Sequence, residues 1–361
     1  MAKLKEKSSL YGKFYSPEKI LSYGRPFMLS VGSRSIGKST AWGMVLIKDY
    51  IKNGHMFIYT RRTKQELSKT CKIYFNNAIK ILQQHGYKIA DFKYHGGEYY
   101  IMMEGSEWEL CGYALELSQE KDAKSGNYSA VWWILYDEFI LKNTVGYLST
   151  KENITYEYTL LTSLHQTVDR DVGRPFRNEC RVVCLGNLYS FYNPLFLALE
   201  IDKYPIETSD YIAPKGELWV LEQTDTVEAT EEYEKSWAFR LSSGNEKGTD
   251  FNNVAKDSKE SFVGKITGNR TLLYNLTYAG RRMSVWQMNE TRRLYISYDK
   301  ANGMNFALTL GDQNRINYVL ASDPHSCYAI KTLKKYVSNG FVDYQTARIK
   351  YDINRFLKFM Q

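Results

Sequence analysis

Gly32-Ser33-Arg34-Ser35-Ile36-Gly37-Lys38-Ser39 is the stretch on which the fold turns. It fits G-x-x-x-x-G-K-[ST], a loop that bends round a phosphate so that consecutive backbone N–H groups face inward, which its glycines permit. Lys38 is then placed to reach the β- and γ-phosphates, and the Ser39 hydroxyl to ligate Mg²⁺. Ser33, Arg34, Ser35, Ile36 and Thr40 complete the nucleotide-binding segment. Working outward, Pro26–Val31 (PFMLSV) reads as a short apolar strand. Lys38–Lys52 has helical spacing and stops at Asn53–Gly54. That helix adds its positive end to the phosphate site. Strand, loop and helix in this order are what the motif requires, and they predict ATP and Mg²⁺ as cofactors.

A second motif lies about 100 residues downstream. Trp133-Ile134-Leu135-Tyr136-Asp137-Glu138 is an apolar run ending in two carboxylates. Adjacent acids often mark no more than a surface turn. At the end of a buried strand behind a phosphate loop, Asp137 supports the metal shell and Glu138 polarises the attacking water. The transition state also needs a cation. Arg170, Arg174 and Arg177 lie in TVDRDVGRPFRN (167–178), a Gly- and Pro-containing loop able to project an arginine into a neighbouring subunit. Leu185-Gly186-Asn187 ends a further strand, where the Asn187 amide can hold the water or the glutamate.

The rest of the first 225 residues alternates strand-like and helical segments, the α/β pattern. His55–Tyr59 is a strand followed by Arg61, Arg62 and Lys64, and Gln65–Gln84 reads as one helix. Residues 88–117 alternate like strands about a His95-Gly96-Gly97 turn, and Val131–Tyr136 is a central parallel strand. Ile154–Val168 reads as a helix, Arg181–Leu185 as a strand, and Pro194–Glu200 as a helix; near 205–225 the pattern loosens. From Thr271 a β-meander begins, with helices at 327–337 and 344–359. The expected organisation is a P-loop ATPase domain over 1–225 with a mostly parallel central sheet, a linker region over 226–263, and a C-terminal α+β domain over 264–361.

Charge separates the same three parts. The 361-residue chain carries a net +8, yet residues 264–361 alone hold 15 Lys/Arg against 6 Asp/Glu. Residues 226–263 hold 5 against 8, and the first 225 hold 28 against 26. A basic final quarter suits a nucleic-acid partner. The longest apolar run, Val131–Tyr136, is far below the ~18 residues of a membrane span, so no membrane partner is expected. Five cysteines without a CxxC pair fit a reducing compartment, and Cys180 and Cys184 read as buried thiols. The histidines form no metal-ligand spacing.

These residues resemble the DNA-packaging (encapsidation) ATPases of phi29-like phages. The corresponding blocks are YSPEKILSY (15–23), SVGSRSIGKS (30–39), FIYTRRTKQEL (57–67), AKSGNY (123–128), LYDEFI (135–140) and RVVCLGNLYSFYNPLF (181–196). YNLTYAGRRMSVW (274–286), RLYIS (293–297) and GFVDYQ (340–345) extend the likeness nearly to the end, with extra residues near 170–176 and in 226–263. The resemblance implies an additional-strand (ASCE) ATPase acting as a homomeric, pentameric ring on the portal (connector) of an empty procapsid, driving double-stranded DNA inward. A packaging RNA is a further candidate partner, and the setting is the host cytoplasm with transient docking on the procapsid. It also implies that Asn187 holds Glu138 idle, that Lys124 lies near the subunit interface, and that Lys64 faces the DNA, with Arg61 and Arg62 beside it. The trans-acting arginine corresponds to Arg170, with Arg177 fitting almost as well.

The family's C-terminal domain resembles an RNase H-like nuclease that has lost catalysis. Glu290, Asp299, Asp312, Asp323, Asp343 and Asp352 are scattered, where a two-metal nuclease needs clustered carboxylates. Val285-Trp286-Gln287-Met288 occupies the place expected of the first strand and its aspartate. Such a basic domain would hold a phosphate backbone by charge, sensitive to salt and blind to sequence. Two rival readings are a terminase with an active nuclease, and a nucleotide-switched DNA- or portal-binding protein that is no motor.

Overall fold

A computed structural model describes residues 15–32, 36–119, 128–141, 147–148, 150, 153, 155–170, 176–190, 193–201, 204, 210–224, 266, 268–278, 280–308, 318–322 and 327–360. The expected linker, Lys124, Arg174 and Ser33-Arg34-Ser35 lie outside these residues. The chain divides into two compact units. One comprises Met1–Lys142, Glu157–Phe191 and Glu200–Lys256, the other Asn143–Tyr156, Tyr192–Leu199 and Asp257–Gln361.

The first unit opens with α1 (Glu18–Ser22), β1 (Phe27–Gly32), α2 (Lys38–Asn53), β2 (Met56–Arg61), α3 (Lys64–Thr70) and α4 (Asn76–Gln84). Strands β3 (Ile89–His95), β4 (Glu98–Met103), β5 (Trp108–Glu116) and β6 (Val131–Asp137) follow. Then come α5 (Tyr156–Val168), β7 (Arg181–Gly186), β8 (Tyr211–Ile212) and β9 (Trp219–Thr224). The sheet order is β3-β4-β5-β2-β6-β7-β1-β9-β8. From β5 to β9 the neighbours are parallel. Strand β7 thus lies between the phosphate-loop strand β1 and the carboxylate strand β6, which is the additional-strand arrangement. The central strands are nearly continuous apolar runs because both faces are covered, and their core is built on Leu29, Phe57, Ile58, Ile134, Leu135, Val182 and Val183.

Two expectations change here. The single helix over Gln65–Gln84 is two helices, broken by a turn at Cys71–Phe75. Ile73-Tyr74-Phe75 is a weak helix-forming run, and Tyr74 packs against the Tyr59 ring while Phe75 enters the core. The loosened stretch near 205–225 contains β9, a full parallel partner of β1.

In the second unit α6 (Pro194–Ala198) precedes β10 (Arg270–Tyr278), β11 (Arg281–Met288), β12 (Leu294–Ser297), β13 (Asn305–Ala307) and β14 (Tyr318–Leu320). Then follow α7 (Cys327–Ser338), β15 (Val342–Tyr344) and α8 (Ala347–Phe359). Strands β10 to β12 form the expected antiparallel meander. The sheet order is β14-β13-β10-β11-β12-β15, with β13 parallel to β10 and β14 parallel to β13. The first strand is therefore β10, with Asn275 at its buried centre, whereas Val285-Trp286-Gln287-Met288 belongs to β11. Leu197 of α6 joins the core formed by Leu276, Val285, Ile296, Leu333, Ile353 and Phe356.

Candidate active site

The start of α2 and the C-terminal ends of β2, β6 and β7 converge on a cavity of about 590 Å³. Its lining includes Gly37, Lys38, Ser39, Thr40, Arg61, Asp137, Glu138, Gly186 and Asn187. Gly32 and Gly37 are fixed by geometry. A Cβ on Gly32 would sit 2.2 Å from the Thr224 carbonyl oxygen on β9, and Gly37 caps α2 at φ +94°. Neither position accepts a side chain without strain. The buried Lys38 ammonium donates to the Gly32 carbonyl at 2.9 Å, folding back over the loop it serves.

The loop is braced from below by residues that no motif marks. The buried Glu222 of β9 accepts from Tyr15 Oη (2.6 Å), Tyr211 Oη (2.6 Å) and Ser30 Oγ (3.0 Å). Burial raises its pKa, and those donors only partly counter the effect. Tyr15 also accepts from Trp42 Nε1 (3.1 Å), and its backbone N–H donates to the Ile36 carbonyl (2.9 Å). A carboxylate inside an apolar strand run (WVLEQT) was the available signal.

Strand β6 delivers Asp137 buried and Glu138 exposed, both turned toward Arg61. Arg61 Nη2 is 2.8 Å from Asp137 Oδ2, and its Nη1 is 2.6 Å from Glu138 Oε2. Its Nε donates to Tyr59 Oη at 2.9 Å. Burial works against the guanidinium charge, but Asp137, Tyr59 and Glu138 more than offset it and hold its pKa above the ordinary value. Burial likewise raises the Asp137 carboxyl pKa despite the opposing pull of Arg61. Glu138 has φ +55°, a left-handed backbone that costs a non-glycine residue roughly 1 kcal/mol. It turns two consecutive carboxylates toward one cavity, and such strain is characteristic of functional positions.

Four expectations are corrected by this geometry. Arg61 is a buried partner of the site's carboxylates rather than a surface DNA contact. Arg62, only 1 % exposed, is held by Glu157 (Nε to Oε2, 2.8 Å), by Glu66, and by the carbonyls of Glu138 and Phe139. Asn187 lines the cavity, but its amide donates to Tyr189 Oη (3.3 Å), and the side chain that pairs with Glu138 is Arg61. Arg177 is buried and donates to the carbonyls of Ser129, Val131 and Val168, so it ties the loop to β6 and is not free to reach outward. Arg170 is exposed, directly after α5, beside an Asp169 carboxylate that accepts from the N–H groups of Asn178, Glu179 and Cys180. Lys64 is exposed in the first turn of α3, which Thr63 caps through the Glu66 N–H. Cys71, Cys111, Cys180 and Cys184 are free and buried.

A glycine cradle, a lysine folded over it, an inserted strand β7 and two carboxylates at the end of β6 define a P-loop ATPase of the additional-strand class. A family model described as podovirus DNA encapsidation protein (Gp16) matches residues 7–360, and the chain belongs to that family. It is 30 % identical over 351 residues to the DNA packaging protein of Bacillus phage phi29, covering 95 % of this chain and 97 % of that protein. It is 31 % identical over 325 residues to the DNA packaging protein of Bacillus phage B103, covering 89 % and 93 %. Among solved structures it is similar to a chain of the bacteriophage phi29 viral genome packaging motor assembly. There the TM-score is 0.68 at 25 % identity, with 97 % of this chain and 100 % of that chain covered.

Proposed function

We propose that this protein hydrolyses ATP to move double-stranded viral DNA through a portal into an empty procapsid, working as a homopentameric ring in the host cytoplasm. The observation that carries the reading is the Arg61–Asp137–Glu138 cluster at the mouth of the phosphate loop. A hydroxyl and a carboxylate are the oxygen donors a hard cation prefers, so Ser39 and Asp137 fit Mg²⁺, which would neutralise phosphate charge when bound. Lys38 and the loop N–H groups hold the phosphates. Glu138 accepts the proton of the attacking water, and to do so it must exchange Arg61 for that water. A nucleotide phosphate is the natural competitor for the released guanidinium. This gives the site two arrangements, one clamped and one engaged.

Of the two loop arginines among the described residues, Arg170 is the exposed one and so the candidate to act on a neighbouring subunit's nucleotide. Lys64 is the candidate channel contact, and Lys124 the candidate interface lysine. In the C-terminal unit Asp299, Asp343 and Asp352 each face an arginine, which favours a backbone-gripping role over cutting. A packaging RNA between ring and portal is compatible with that basic surface. The deciding experiment is steady-state ATPase with and without DNA and procapsids. Glu138→Gln is expected to bind ATP normally yet turn over at least ~10²-fold more slowly, and equal rates would remove Glu138 from the mechanism.

A further inference from the structure

Tyr74 sits in the turn between α3 and α4, with its ring in the cavity lining and packed at a 35° tilt against Tyr59, centroids 4.3 Å apart. Its hydroxyl oxygen is sealed from solvent and reaches no hydrogen-bond partner at normal geometry. Ser39 is close enough to interact with it, Asp137, Tyr59 and Arg61 act on it by charge, and Ser39, Arg61 and Asp137 line the same cavity. Tyr59, by contrast, is satisfied: its hydroxyl donates to Thr70 Oγ1 at 3.0 Å and accepts from Arg61 Nε at 2.9 Å. A buried hydroxyl without a partner costs free energy, so one facing both expected metal ligands calls for a state in which it is paired.

We propose that Tyr74 is a positioning residue for the cation site, whose hydroxyl pairs with Ser39 and Asp137 only when a divalent ion fixes those two side chains. Groups that hold metal ligands in place typically tune affinity without touching the ion. A serine hydroxyl that held the ion would keep its proton free to donate, and the Tyr74 oxygen would be a neighbouring acceptor for it. Its own O–H can then donate to the Asp137 carboxylate. Nucleotide and metal become more strongly coupled, because the metal-free site carries an unmade hydrogen bond that the loaded site makes. This inference rests on the assignment of Ser39 and Asp137 as magnesium ligands.

The test is equilibrium binding of a fluorescent ADP to the full chain, in EDTA and in Mg²⁺, for wild type, Tyr74→Phe and Tyr274→Phe, the last removing a hydroxyl of the second unit that donates to the Ala329 carbonyl at 3.2 Å. The Mg²⁺-induced gain in affinity should fall about 3- to 10-fold in Tyr74→Phe, the size of one hydrogen bond, with metal-free affinity and Tm unchanged. Tyr274→Phe should leave the gain intact. A gain unchanged in Tyr74→Phe, an equal loss in Tyr274→Phe, or a matching loss of metal-free affinity would each overturn the role. A wild type that binds ADP equally with and without Mg²⁺ would instead remove the metal-ligand assignment beneath it.

Discussion

Both units of this chain tie acids to arginines, and they do so in opposite styles. In the ATPase unit Arg61 and Arg62 are buried, and their carboxylate partners gather around one cavity and the turn beside it. In the C-terminal unit Arg270, Arg281 and Arg293 each take one aspartate, at 2.8–2.9 Å, in three separate pairs. The chemistry is the same guanidinium–carboxylate pairing, but only the first arrangement concentrates unlike charges where they can be exchanged for a ligand. Clustered, desolvated charge makes a site; dispersed pairs make a scaffold.

The contrast breaks first at Arg62. Its guanidinium is 1 % exposed against a fully buried Glu157, so Arg62→Met leaves a carboxylate stranded in the core. The expected loss is about 3–5 kcal/mol, measured by urea unfolding. Nothing of that size is expected in the second unit. Arg281 is 30 % exposed but its partner Asp352 is fully buried, so Arg281→Met should cost less, about 1–3 kcal/mol at neutral pH.

That variant also carries a pH signature. Burial raises the Asp352 pKa in the folded chain, and Arg281 opposes the rise. Removing Arg281 raises it further. The folded state then holds the proton at pH values where the unfolded chain has lost it. Relative stability is therefore greatest below the unfolded carboxyl value near ~3.9 and falls as pH rises through the folded one. The deficit of Arg281→Met against wild type should shrink on acidification, and a pH-independent deficit would contradict the pairing. The smallest effect belongs to Arg293, which is 33 % exposed beside a 26 % exposed Asp343. Arg293→Met should cost at most about 1 kcal/mol, less still in high salt. A loss as large as that of Arg62 would erase the distinction between site and scaffold.

How legible this was in the sequence follows from how local each feature is. The phosphate loop, the β6 carboxylates and the meander are set by contiguous residues whose spacing states their geometry. Arg61 and Arg62 follow a strand in a charged run and read as DNA contacts beside Lys64, because their partners are 77 and 95 positions away in sequence. Glu222 escaped notice for a like reason: its donors come from Tyr15, Ser30 and Tyr211. The break between α3 and α4 reflects two adjacent aromatics sent to different places, which a helical-period reading averages away. The loop arginines divided because Arg177 finds three carbonyls in the fold, a destination that no spacing rule anticipates.

The second unit is assembled from three separate pieces of chain. The backbone therefore passes between the units five times, at 142/143, 156/157, 191/192, 199/200 and 256/257. A fragment beginning at 264 lacks Leu197, one wall of its own core. In sequence terms the second unit is discontinuous, and 143–156 and 192–199, set within the span of the first, complete what 257–361 begins.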